Sequence, residues 1–78
     1  MNFSEWRRLS AMRFHVIAGR DELVTASDNL DAARSLAASF SAGRKCAMQV
    51  LGTQLVEGRE QRGFIRFWHG REVERVGL

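Results

Sequence analysis

The run Phe64-Ile65-Arg66-Phe67-Trp68 is built from aromatic, β-branched and arginine residues with no helix-favouring spacing, and it predicts an extended strand. Successive side chains of a strand point to opposite sides, so Phe64, Arg66 and Trp68 share one face and Ile65 and Phe67 the other. A guanidinium is almost never fully buried unless it is paired. The Ile65 and Phe67 face is therefore the one expected to lie on a core, and a chain that contains this strand must also supply something to cover it.

One segment supplies that cover. At about 100° per residue, Leu30, Ala33, Leu36, Ala37 and Phe40 fall within an arc of roughly 120°, with Asp31, Ser35 and Ser39 opposite. Ser27-Asp28 reads as the cap, Asp28 and Asp31 place negative charge where the helix dipole favours it, and Gly43 reads as the stop. The pattern predicts a helix over 28–42, whose alanine-rich stripe allows close approach to a sheet.

Phe3, Trp6 and Leu9, spaced by three behind Ser4 as a cap, predict a short N-terminal helix. Met12 to Ala18 alternates as a strand, Gly19 to Glu22 reads as a turn, and Leu23 to Ala26 as the returning strand. Beyond the central helix, Cys46 to Leu51 reads as a strand, Gly52-Thr53 as a tight turn into Gln54 to Glu57, and Gly58 to Gly63 as a polar loop. Gly70-Arg71 suits a type II′ turn leading into Glu72 to Val76. The expected fold class is α+β: a small, mostly antiparallel sheet of four to six strands packed against one central helix, with the short N-terminal helix added. Seventy-eight residues are too few for two separate cores, so residues 1–78 are expected to form a single domain.

Composition and charge narrow the function classes. Hydrophobic residues at 45% and charged residues at 27% match a folded domain and not a disordered chain. Cys46 is the single cysteine, which excludes an intrachain disulfide, and no segment approaches the ~20 apolar residues of a membrane span. The N-terminus lacks the apolar core of a secretion signal, so the expected location is the cytoplasm, with no membrane partner. Residues 1–39 carry five basic and five acidic groups, whereas residues 40–78 carry seven basic and four acidic, so the net +3 arises entirely in the second half (7 − 4 = +3). Eleven of the twelve basic residues are arginine, whose planar fork suits phosphate and carboxylate.

Phe64 and Trp68 flank Arg66, with Arg62 and Arg71 at the strand ends. Rings that stack on bases and arginines that hold phosphates are what a nucleic-acid platform needs. Arg44 and Lys45 follow the central helix, where its dipole favours cations, and they join Arg59, Arg62 and Arg71 if the loops gather at one end of the sheet. The partner-binding set expected from sequence is thus Arg44, Lys45, Arg59, Arg62, Phe64, Arg66, Trp68 and Arg71, in a small, basic, non-enzymatic binding module for nucleic acid or a nucleoprotein. Three other readings compete. The N-terminal helix covers Phe64 and Trp68, the ring-bearing face is a homodimer interface, or the chain is a protein-binding inhibitor or adaptor. Inhibitors encoded by mobile elements, anti-CRISPR proteins among them, share its short length and lack of catalytic motifs, an analogy of class only.

No motif points to catalysis, a cofactor or a metal. Gly58 and Gly63 have the spacing of a phosphate-binding loop, but Phe64 stands where lysine is required. His15, Cys46 and His69 are isolated from one another, without the short spacings of a zinc site. The paired carboxylates, Asp28 with Asp31 and Glu72 with Glu74, are local neighbours suited to a helix start and a strand face. No enzyme, cofactor or metal is expected.

Overall fold

The computed structural model describes residues 1–44 and 46–78. In chain order it contains α1 (Phe3–Ser10), β1 (Phe14–Ala18), β2 (Glu22–Ser27), α2 (Leu30–Arg44), β3 (Met48–Val56), β4 (Arg59–Trp68) and β5 (Arg71–Val76). The strands form one antiparallel sheet in the order β2-β1-β3-β4-β5. This is an α+β fold with a five-stranded sheet, a central helix and a short N-terminal helix.

Several sequence expectations fail at glycines. Gly52-Thr53 does not turn, and the polar segment after Gly58 is not a loop: β3 continues to Val56 and β4 begins at Arg59. The turn is instead Glu57-Gly58, with φ of 53° and 79°. Two positive φ values give a two-residue hairpin whose twist matches its flanking strands. Gly52 is needed for space, since it pairs with both Phe14 and Gly63, and a methyl group there would strike the Phe14 ring. A glycine inside a strand here marks a close approach and not a break. The last hairpin turns at His69-Gly70, with φ of 52° and 80°, so the expected Gly70-Arg71 turn is one residue out of place. Trp68 pairs with Arg71 across it.

The helix caps also lie elsewhere. Asn2 caps α1 in place of Ser4, its Oδ1 accepting the Glu5 N–H at 2.8 Å. Asn29 caps α2, accepting the Ala32 N–H at 2.9 Å, while Asp28 accepts the Arg13 N–H at 2.9 Å and so ties down the approach to β1. Gly43 does not stop α2, which continues to Arg44, and β1 starts at Phe14, two residues later than expected.

Helix α2 lies on one face of the sheet. Ala33 and Ala37 are fully buried there with Phe14, Val16, Ala18, Met48, Val50, Ile65 and Phe67. Leu36 sits at the margin of the stripe and is partly exposed, whereas Ser41 is fully buried. The Ser41 hydroxyl donates to the Ala38 carbonyl at 3.0 Å and accepts the Gly70 N–H at 2.8 Å, which fastens the β4–β5 turn to the helix.

Helix α1 takes the opposite face. His15 points away from the α2 side, and its Nε2 is 3.0 Å from the Ser10 carbonyl; a carbonyl only accepts, so Nε2 carries the hydrogen. Leu9, Ile17 and Ala26 are buried without belonging to the core under α2, and α1 packs against β2. They form a second, smaller apolar layer under α1. The molecule is only 19 Å across its thinnest axis.

Candidate binding face

Because α1 covers the β1–β2 half of this face, the β3–β4–β5 half stays open. Register places Leu51 opposite Phe64, Phe64 opposite Val76, Arg66 opposite Glu74 and Trp68 opposite Arg71. Trp68 is 45% exposed and Val76 50%; Leu51 is exposed next to Phe64, and Leu55, opposite Glu60, is exposed toward the Glu57-Gly58 turn, about 26 Å from Trp68 at 3.3 Å per residue. The two sides of β4 therefore contrast as the alternation requires: Ile65 and Phe67 are buried under α2, and Phe64, Arg66 and Trp68 are turned outward. The N-terminal helix does not lie over Trp68.

The geometry separates the eight expected residues. Arg62, Phe64, Arg66 and Trp68 follow one another along the open side of β4, and Arg71 joins them across from Trp68. Arg59 starts β4 at the other end, next to the Glu57-Gly58 turn, roughly 30 Å from Trp68 at 3.3 Å per residue. Arg44 ends α2 close to the opposite turn, which Ser41 holds, and Lys45 lies outside the described residues. The condition for Arg44 and Lys45 to join Arg59, Arg62 and Arg71, that the loops gather at one end of the sheet, is not met by Arg59 and Arg71, because successive hairpin turns alternate between the two ends.

The electrostatics of the open half are mixed. Arg66 Nη1 donates to Glu74 Oε1 at 2.9 Å, and its guanidinium carbon lies 4.8 Å from the Phe64 ring centre. Its charge is neutralised, and one side of the Phe64 ring is occupied. Arg62 and Arg71 form no ion pair among the described residues. Trp68 meets His69 edge to face, with centroids 4.6 Å apart. On the other side of β5, Glu72 accepts from Arg75 at 2.6 Å and lies 3.6 Å from Arg34. The hydrogen bond from Arg75 holds the Glu72 carboxyl below its ordinary range.

Between the α1–β1 connection and β3–β4 lies a cleft of about 1000 Å³, with Met12, His15, Leu51, Leu55, Phe64 and Val76 among its lining. Arg62 and Glu60 stand at its rim with opposite charges. Cys46 contacts Met48, with 3.9 Å between the sulfurs, and the described residues contain no group of three or more His, Cys, Asp or Glu placed to hold a metal ion.

Sequence reasoning missed Leu51, Leu55 and Val76 as members of this face. The signal was present, since Leu51, Thr53 and Leu55 alternate, but a turn placed at Gly52-Thr53 cuts that alternation in two. Compared with protein-family models, with curated proteins and with solved structures, the chain matches none of them.

Proposed function

We propose that the protein is a non-enzymatic protein-binding module, of the adaptor or inhibitor kind, that uses the open β3–β4–β5 face as its contact surface. The observation that carries this reading is Trp68, half exposed on the same outward face as Leu51, Phe64 and Val76, beyond the Arg66–Glu74 pair, with no helix among the described residues packed over it. Aromatic residues and arginine are enriched at the centres of protein interfaces. A stacking platform for bases needs free ring faces and unpaired cations, whereas Arg66 lies over Phe64 and is neutralised by Glu74. The aliphatic Leu51, Leu55 and Val76 add apolar area that a polyanion does not require. Association through a sheet edge is disfavoured, because both edge pairings carry a register shift, between Val16 and Ile17 opposite β2 and between Arg66 and Phe67 opposite β5. Such irregularities blunt an edge against a further strand.

The nucleic-acid or nucleoprotein reading retains one specific support, Arg62 and Arg71, which form no ion pair among the described residues, in a chain of net charge +3. Affinity recovery from lysate, run in parallel with Trp68→Ser and Leu55→Asp baits, separates the two. A stoichiometric protein complex that survives raised salt and is lost with either variant supports the protein-binding reading. Oligonucleotide binding that falls steeply with salt, as counterion release demands, and is indifferent to Leu55→Asp replaces it with the nucleic-acid reading. A complex retained by both variants removes this face from the function.

A further inference from the structure

We infer that the open face is covered by a second copy of the chain, with α1 of each copy seated on the β3–β4–β5 half of the other. The inference rests on reading that face as a protein-docking surface and puts a second copy there in place of a foreign target.

The first support is shape. Helix α1 stands on the β1–β2 half of the face and leaves the other half one layer lower, so the face is a step. A two-fold axis parallel to the strands and passing near β3, the middle strand, exchanges the two halves. The raised half of one copy then meets the lowered half of the other, twice over. A two-fold axis perpendicular to the strands would instead set α1 against α1 and hold the sheets apart.

The second is chemistry. The raised half carries its own uncovered apolar pair, Phe3 at 72% exposure and Trp6 at 50%, stacked with ring centres 6.2 Å apart. The lowered half carries Leu55 and Trp68. Neither set has a covering helix among the described residues, and the exchange seats the Phe3–Trp6 pair on the open half at its Trp68 end, with Leu55 about 26 Å away toward the Glu57-Gly58 turn. The residues named by charge give each half a net +1, Arg7 and Arg8 against Glu5 on α1 (2 − 1) and Arg62, Arg66 and Arg71 against Glu60 and Glu74 on the open half (3 − 2), so the pairing draws on the apolar residues and not on charge.

The third is area. A compact monomer of 8.9 kDa exposes about 4,800 Å² by the usual scaling with mass. This chain exposes 5353 Å². The surplus, about 500 Å², is of the order of the ~800 Å² per partner that a standard interface removes. Small domains often gain by assembly the core that their length denies them.

The arrangement is tested by sedimentation or light scattering of the purified chain at tens of micromolar, with Trp6→Ser and Trp68→Ser variants. The wild type is expected to have twice the chain mass and to dissociate on dilution, and each variant to weaken association at least about tenfold, as loss of an interface anchor does. Mixing the two variants is expected to restore association, because the mixed dimer keeps one of its two docking contacts intact. Both tryptophans are half exposed, so the fold should survive each change; Phe3→Ser and Val76→Asp repeat the test if either variant loses its far-ultraviolet dichroism. A wild type that stays monomeric overturns the inference. So does a dimer that Trp68→Ser weakens but Trp6→Ser does not, with no recovery on mixing, since the open halves would then face one another. A monomeric wild type that still holds a foreign protein through Trp68 would discard the second copy and keep the protein-docking reading. A monomer whose foreign complex ignores Trp68 would discard both.

Discussion

The two sides of β4 differ less in their residues than in what lies over them. Ile65 and Phe67 are sealed under α2, and Phe64 and Trp68, each one residue away, face outward. Helix lengths account for the difference. α2 has 15 residues, about 22 Å, and crosses a five-stranded sheet about 19 Å wide between its outer strands. α1 has eight residues, about 12 Å, and covers the β1–β2 half alone. An apolar residue in a strand thus declares that its face is to be covered, but the length and placement of the helices decide whether the chain itself does the covering.

The sharpest way to break this comparison is to truncate on each side in turn. Ile65→Ala removes a side chain of zero exposure from the centre of the α2 layer and is expected to cost about 2 to 5 kcal/mol. For a chain of this length, that is a large share of a total stability of roughly 4 to 12 kcal/mol. Trp68→Ser, measured on dilute protein, is expected to change stability by no more than about 0.5 kcal/mol, as surface substitutions do. Urea denaturation with a common slope reports both. Equal losses would mean that Trp68 is packed within the monomer, and the open face would cease to exist.

The layering of this fold was readable from periodicity. The alternation in β4 and the stripe Leu30, Ala33, Ala37 and Phe40 place the correct faces together, because burial imposes those periods directly. What the sequence hid lies at glycines, caps and loops. Gly52 and Gly58 are the same letter, yet one makes room for the Phe14 ring and the other adopts a positive φ, and only the neighbouring strands distinguish these uses. Asn29 and Asp28 are both good cap residues; the Arg13 amide, fifteen positions away, claims Asp28. In the candidate site, the row from Arg62 to Trp68 was legible because it lies on one strand. Leu51, Leu55 and Val76 join it only through register, and the pairing of Arg66 with Glu74 likewise depends on where β5 turns.

A smaller effect tests how the covered side holds the β4–β5 hairpin, whose strand β5 is exposed along its whole length. Ser41, fully buried on α2, accepts the Gly70 amide. Ser41→Ala leaves that amide without its acceptor and is expected to cost about 1 to 3 kcal/mol. The readout specific to this link is amide exchange: protection of Gly70 should fall well before that of Ile65 or Val50. Uniform loss of protection would mean that the hairpin is held by the sheet alone.

The smallest expected effect compares the ion pairs on the two sides of β5. Arg66–Glu74 crosses the open face, and Glu72–Arg75 lies on the side turned toward α2 and Arg34. Hydrogen bonding to Arg75 lowers the Glu72 pKa from its ordinary 4.5, with burial opposing and the charges of Arg75 and Arg34 assisting. For a carboxyl lowered on folding, the stabilisation is complete above pH 4.5 and is lost as the pH falls through the lower folded value. Wild-type stability should therefore decline over that acidic window, and Glu72→Gln should flatten part of the decline while leaving stability near neutrality only slightly reduced. Added salt should shrink the difference, since both groups are about one-third exposed and screened. An acid limb that stays as steep in Glu72→Gln as in the wild type would show that the Arg75–Glu72 hydrogen bond does not carry this dependence.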